Sequence, residues 1–397
     1  MVNKFLFPNG GSETYIFEIG KQLQKMGHEV QYFGMEHEGR IVGNRVESYT
    51  SDMDFHGSGL SKLLYPFKII YSGEARQKIR RVLDDFEPDV VHLNNFNFQI
   101  TPSVIYEIRK WEKTAGKKVP IIFTAHDYQW VCPNHMMMIP STGELCFRCE
   151  GGKFGQCTKN RCIHDSKIKS LLGTLEAKLY YGLKTYGKVD AIICPSKFMA
   201  DRLGTNPLLA EKLIILYNFL NKTQKETFEK KDYVLYFGRY SEEKGVRTLL
   251  QVCGELPDIP FYFAGGGSLK EELTKYPNIK ELGFLKGEEL QRTIGEARFV
   301  VFPSEWYENC PFSVMEAQEY GTPLIASDIG GVPELMKDQV TGELFEAGNA
   351  GELMEKIKKL WQDRALCAEY SRHCSEIQFD TVEEYCRKLV EIYAKSN

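Results

Sequence analysis

Residues 298–327, "RFVVFPSEWYENCPFSVMEAQEYGTPLIAS", open with a compact apolar run that ends at Pro303. A polar loop follows, an amphipathic helix begins near Phe312, and a second apolar run closes the stretch. Strand, helix and strand in succession, with no hairpin signal between the strands, imply parallel pairing buried on both faces. Two carboxylates, Glu308 and Glu316, stand in this unit with seven residues between them. A fully helical span would separate them by about 12 Å. With Glu308 in the loop and Glu316 on the first or second turn, they reach different ends of an elongated ligand. The N–H groups of the helix start lie between them and suit anions or hydroxyls. A carboxylate that accepts two hydroxyls is a grip for a sugar ring. The same spacing also fits two surface acids flanking a helix start.

The alternation extends in both directions. "MVNKFLF" is strand-like and ends at "PNGGSE"; Ile16, Ile19, Leu23 and Met26 then recur at helical spacing, and "HEVQYF" resumes as strand. The opening strand looks short, as though it began a few residues earlier. Runs at 89–93, 119–127 and 189–196 suit buried parallel strands, with helices expected over 74–86 and 102–115. The polar stretch 221–232, "NKTQKETFEKKD", reads as a linker. A second series follows it: strands at 233–238, 261–267, "IKELGFL" and 298–303, with helices over 244–255, 268–275 and 288–296. The fold class is therefore α/β, with two Rossmann-like, doubly wound domains facing a central cleft. The expected boundaries are 1–220, 221–375, and a C-terminal helix at 376–397 with room to cross back to the first domain.

The chain of 397 residues is long enough for two cores, and 43% hydrophobic with 26% charged residues is a globular composition. Net charge of −4 does not favour nucleic acid. There is no run of about 18 apolar residues to span a membrane and no secretory signal. With eleven cysteines, that points to a reducing, cytoplasmic setting.

Other segments carry charge and glycine where ligands bind. "FGRYSEEKG" puts Arg239 and Lys244 just after the first strand of the second domain, as a diphosphate clamp or a solvated charge cluster. "AGGGS", with Gly266 at its centre, is a strand-to-helix turn that backbone or phosphate can approach closely. Gly10 and Gly11 play the equivalent part in the first domain.

Together "PNGGSE", "AHDY", "PSKF", "FGRYSEEKG", "AGGG", "ENCPFSVMEAQEYGTPLIAS" and "GGVPEL" resemble the family-four retaining glycosyltransferases of GT-B fold, over nearly the whole chain. The resemblance implies a nucleotide-diphosphate sugar donor held in the second domain. Glu316 would hold the ribose, Arg239 and Lys244 the diphosphate, and Glu308 the transferred sugar, assisted by backbone from Asn309, Cys310, Pro311 and Phe312. Gly10 and Gly11 would sit near the diphosphate and acceptor, and backbone near Leu285 would meet the base. His126 would contact the sugar and support the reacting centre; a general-base role and a buried structural histidine are the alternatives. The implied chemistry is same-face attack, with Arg239 and Lys244 stabilising charge on the leaving diphosphate and no essential metal. The implied acceptor is a glycan or a lipid-linked saccharide of envelope polysaccharide synthesis.

Three features stand outside that set. The insertion at 132–165 spaces Cys146, Cys149, Cys157 and Cys162 as a structural zinc site would. Cys132, His135 and His164 are alternate ligands, and a cluster of reduced thiols is the other reading. "DMD" at 52–54 matches a metal-binding Asp-x-Asp but ends no apolar strand, so it reads as a solvated turn. The segments 60–83 and 167–188 mix Lys and Arg with Leu, Ile and Tyr. They are either helices packed on the sheet with basic outer faces, or a peripheral contact with an anionic membrane at its inner face. Two further functions use the same residues: a sugar-nucleotide epimerase of the same fold, and a non-catalytic nucleotide-sugar binding protein.

Overall fold

The computed structural model describes residues 1–51, 69–221 and 228–396. The Asp-x-Asp at 52–54, residues 60–68 of the first basic segment and residues 222–227 of the linker lie outside the described residues. The chain forms two units: Met1–Tyr217 joined by the chain from Val382 on, and Asn218–Thr381.

The first unit runs α1 (Gly11–Lys25), α2 (Gly73–Phe86), β1 (Val91–Leu93), α3 (Ser103–Ala115), β2 (Ile121–Thr124), β3 (Met138–Ile139), β4 (Glu144–Leu145), α4 (Gly155–Lys159), α5 (Lys167–Gly182), β5 (Ala191–Cys194), α6 (Lys197–Leu203) and β6 (Leu213–Ile215). Its parallel sheet has the order β1-β2-β5-β6. The expected strands at the start of the chain reduce to single bridges: Val2 pairs with both Phe33 and Leu93. Asn3 ties this start to the loop that follows it. Its side-chain amide donates to the Phe5 carbonyl at 2.7 Å and to Glu13 at 2.9 Å, while the backbone of Lys4 still bonds to Asn95 and Met35 on either side.

The second unit runs β7 (Val234–Arg239), α7 (Val246–Glu255), β8 (Phe261–Gly266), α8 (Lys270–Leu273), β9 (Ile279–Gly283), α9 (Gly287–Glu296), β10 (Phe299–Phe302), α10 (Phe312–Glu319), β11 (Leu324–Ser327), β12 (Gly342–Phe345), α11 (Ala350–Gln362) and α12 (Arg364–Glu376). Its six strands are ordered β12-β11-β10-β7-β8-β9, and those inside the named strands pair in parallel. Buried Phe261, Phe263, Phe299 and Ile325 belong to one core beneath α7 and α11, each such side chain contributing about 1.5–3 kcal/mol. The helix expected from 244 begins two residues later. Gly245 takes φ +67, and a Cβ there would stand 1.7 Å from the Pro303 carbonyl oxygen, so a 3₁₀ turn at Glu242–Lys244 precedes α7.

The last segment is also divided. Glu376 ends α12, and a separate helix, α13 (Val382–Lys395), joins the first unit. There the Tyr385 hydroxyl meets that of Tyr15 at 2.7 Å, and Tyr15 reaches Thr124 at 3.0 Å. The Thr124 hydroxyl pairs with His92 at 2.7 Å, and the other nitrogen of His92 meets Tyr393 at 2.7 Å. Burial lowers the His92 pKa to about 3, so the ring is neutral and serves as a hydrogen-bonding link. Replacing Tyr385 by Phe removes one buried bond of this chain. The expected loss is about 1 kcal/mol, seen as a lower urea midpoint at unchanged slope; an unmoved midpoint would mean that the bond contributes nothing.

Candidate functional site

In the six-stranded sheet the chain winds one way from β7 through β8 to β9 and the other way from β10 through β11 to β12. The reversal falls between β7 and β10, which pair directly, Phe299 with Val234 and Val300 with Leu235. Ligands bind at the carboxyl ends of strands at such a switch point. Arg239 is the last residue of β7, and its side chain is 62% exposed, 3.9 Å from Glu243. Lys244 follows in the 3₁₀ turn. Ser304, Trp306 and Glu308 follow β10.

Glu308 is buried, and its Oε1 accepts three hydrogen bonds: from Lys244 Nζ at 2.5 Å, Ser304 Oγ at 2.7 Å and Trp306 Nε1 at 2.8 Å. The ammonium also lies 4.9 Å from the Trp306 ring centre. The acid and the cation assigned separate tasks in the sequence are thus one ion pair. Its loop is fixed from behind. The Gly331 N–H donates to the Glu308 carbonyl at 2.7 Å, and Gly330, at φ +60, brings its backbone so near that a Cβ would lie 2.3 Å from the Glu308 oxygen. The Asn218 side-chain amide donates to the Cys310 carbonyl at 2.8 Å. Ser304, Trp306, Asn218 and Gly330 were not singled out in the sequence. Only "GGVPEL" carried a trace of one of them.

Asn309, Cys310 and Pro311 lead into α10, whose first residue is Phe312, and no side chain caps that start. Burial pushes the Cys310 thiol up to about 12, so it is no thiolate nucleophile. Glu316 is half-buried on the second turn of α10, and burial raises its carboxyl to about 7. Gly266 ends β8, with open space where a Cβ would stand. Leu285 lies just after β9, beside Phe284.

In the first unit Gly10 precedes α1 and Gly11 begins it, again with open space at the Cβ position. Buried Glu13 on the first turn accepts from Asn3 at 2.9 Å and Ser12 at 3.0 Å, and Asn95 donates to Ser12 at 2.9 Å. His126 follows β2; its Nε2 stands 2.9 Å from Asn94 Oδ1 beyond β1, and its ring meets Tyr15 edge-on at 5.0 Å. Burial lowers the His126 pKa to about 4. It is therefore neutral near pH 7 and too weak a base to suit proton abstraction there.

The sequence pattern described as "Glycosyltransferase Family 4" matches residues 9–224, and "Glycosyl transferases group 1" matches residues 219–377. The chain belongs to glycosyltransferase family 4. An uncharacterised glycosyltransferase of Methanocaldococcus jannaschii is 27% identical over 210 residues, covering 51% of this chain and 58% of that one. The alpha-D-kanosaminyltransferase of Streptomyces kanamyceticus is 31% identical over 144 residues, 34% of this chain and 37% of the relative. The chain thus spans less than two thirds of the length of these relatives. Anabaena HepE in complex with UDP superposes with a TM-score of 0.66 at 16% identity, covering 99% and 98% of the two chains. Sucrose-phosphate synthase from Thermosynechococcus elongatus gives 0.67 at 15% identity, covering 97% and 93%. The fold of this family-four chain is GT-B.

The cysteines of the insertion fall together. Cys146, Cys149, Cys157 and Cys162, with Cys132, line one small cavity, and the Arg148 N–H donates to Cys146 Sγ at 3.4 Å. His135 turns away to Asp127 at 3.0 Å. Among the described residues, no three His, Cys, Asp or Glu side chains already stand as a metal cage.

The Glu316 carboxyl gives this family-four chain a pH signature. An unfolded Glu releases its proton near about pH 4.3, whereas the folded one holds it to about 7. Stability contributed by this group therefore falls as pH rises between those values and is level above them. Glu316→Gln should gain stability relative to the parent from pH 5 to pH 8, read by denaturation at both; an equal difference at the two pH values would contradict the raised pKa.

Proposed function

We propose that this chain is a retaining glycosyltransferase that moves a sugar from a nucleotide-diphosphate donor to a glycan or lipid-linked saccharide acceptor. The observation that carries the reading is the triple-donor hold on Glu308 Oε1, at the sheet's switch point beside Arg239. Ser304 and Trp306 fix the carboxylate without the lysine, so two of the three ammonium N–H groups of Lys244 remain for diphosphate oxygens. Arg239, exposed at the strand end, supplies the second cation. Glu316 ionises as it accepts two ribose hydroxyls, and the start of α10 lies between the two acids. Family membership and the transferase names of relatives support the class of reaction. UDP bound to HepE supports a nucleotide donor.

In the step itself the bond between the sugar's anomeric carbon and the diphosphate oxygen breaks, leaving its electron pair on the phosphate. The acceptor oxygen bonds to the same face of that carbon, and its proton passes to a phosphate oxygen. Lys244 and Arg239 stabilise the charge that builds there, and no metal takes part. His126, neutral, serves as a hydrogen-bonding contact to the sugar. An epimerase would need an acid and a base at the sugar, which a histidine with a pKa of about 4 does not supply.

The cysteine insertion holds a structural zinc in the same reading. One packed cluster there joins Cys149, Cys157 and Cys162 to Ile139, Phe154 and Ala177, partly lined by Ile163 and Tyr181, and metal binding would add order to it. Cys146, Cys149, Cys157 and Cys162, which line one cavity, would be the zinc ligands.

A thermal-shift panel of UDP, GDP, dTDP, ADP and CMP should give one selective response, since a ligand at a hundred times its Kd adds about 2.7 kcal/mol. Glu308→Gln should lower transfer by about a hundredfold or more while that response survives. Loss of both together would remove the sugar-holding role, and no response to any nucleotide would shift the chain to a scaffold. Elemental analysis of protein purified without chelator should find about one zinc per chain, absent from Cys149→Ser and Cys157→Ser; metal-free parent protein would refute the zinc.

A further inference from the structure

Helix α5 is turned inside out. Its buried residues are Ser170, Gly173, Thr174, Glu176, Ala177 and Tyr180, a set of small and polar groups with one ring. Ile168, Leu171, Leu175, Leu179 and, just past the end, Leu183 are between 41% and 74% exposed. At 3.6 residues per turn these five fall within an arc of about 120°, so they form one continuous apolar stripe rather than scattered surface leucines. Exposed Lys167 and Lys178 border one edge of the stripe and exposed Lys169 the other, with exposed Lys184 beyond the helix end. The helix has a single acid, Glu176, and it points inward.

We propose that the exposed face of α5 lies in the interface of an anionic lipid bilayer, the five aliphatic side chains entering the acyl boundary and the lysines meeting lipid phosphates. A helix with an apolar stripe edged by lysines and free of exposed acid matches that surface in both polarity and charge. A second copy of the chain fits worse. Stripe against stripe would bring two lysine borders together without a carboxylate to pair them. The sequence left open whether 167–188 packs its apolar residues on the sheet with a basic outer face. The structure answers that the outer face is the apolar one. The proposal is independent of the transfer reaction and stands or falls without it.

The test is cosedimentation of the full chain with phosphatidylcholine vesicles, with and without phosphatidylglycerol, over a range of salt. The parent protein should bind the anionic vesicles and lose affinity as salt rises. Leu175→Glu with Leu179→Glu should weaken binding by about tenfold or more, and Lys167, Lys169 and Lys178 changed together to Gln should do so on anionic vesicles alone. Thermal midpoints read whether the variants fold, and these side chains are already in water. Absence of vesicle binding by the parent overturns the proposal, as does binding that the leucine variant leaves unchanged. A parent dimer that becomes monomeric in the leucine variant, with no vesicle binding, would give the face to a second copy and overturn it equally.

Discussion

The parallel pairing of β10 with β7 is the constraint on which the candidate site depends. The two strands are more than sixty residues apart in the chain, yet their hydrogen bonds bring their carboxyl ends side by side. Only because of that does Lys244, delivered by one strand, meet Glu308, delivered by the other. Glycine makes the approach tolerable at both ends. Gly245 lets the lysine turn close on Pro303, and Gly330 lets a later loop press on the backbone of Glu308. An ion pair so placed has a cost of desolvation. Here that cost is offset by two neutral donors that hold the carboxylate oxygen in a fixed direction. Position is what the arrangement supplies, more than stability.

The first unit repeats the logic with other chemistry. Val2 alone bridges to both Phe33 and Leu93, and the segment that leaves this bridge becomes the glycine loop at the start of α1. Its support is neutral amides and hydroxyls around one buried acid, Glu13. His126 belongs to the same edge, where Asn94 and Tyr15 hold its ring. Burial takes it far from the range in which histidine exchanges protons at neutral pH, and that is a statement about environment which no sequence spacing contains.

Much of the architecture was legible because buried parallel strands are compact apolar runs and their helices carry a 3.6-residue period. The runs at 233–238, 261–267 and 298–303 became β7, β8 and β10 with small changes at the ends. The short pairing at Val2 was not, because an apolar run signals a strand without saying how many of its residues meet a neighbour in register. Arg239, Lys244 and Glu308 stood out by charge just after strands and Glu316 by its place on the following helix, but the contact between Lys244 and Glu308 did not. Ser304 and Trp306 are common residue types in a polar loop, and their role exists only once Glu308 folds back over them. The orientation of α5 was left open by the sequence for a different reason. Leucine at helical spacing ordinarily marks the buried face, and here the side toward the core is made of Ser, Gly, Thr, Ala, one Glu and one Tyr.

The return of α13 to the first unit has a consequence for synthesis on the ribosome. Tyr15, Thr124 and His92 find two of their partners, Tyr385 and Tyr393, only in residues made after the whole of Asn218–Thr381. The second unit is continuous in sequence, whereas the first is assembled from stretches of chain on either side of it and is complete only once Val382–Lys395 has been made. The earlier unit of this protein is therefore not finished ahead of the later one, unlike the usual order for domains in series. For that interval the glycine loop is held by a sheet whose last helix has not yet been made.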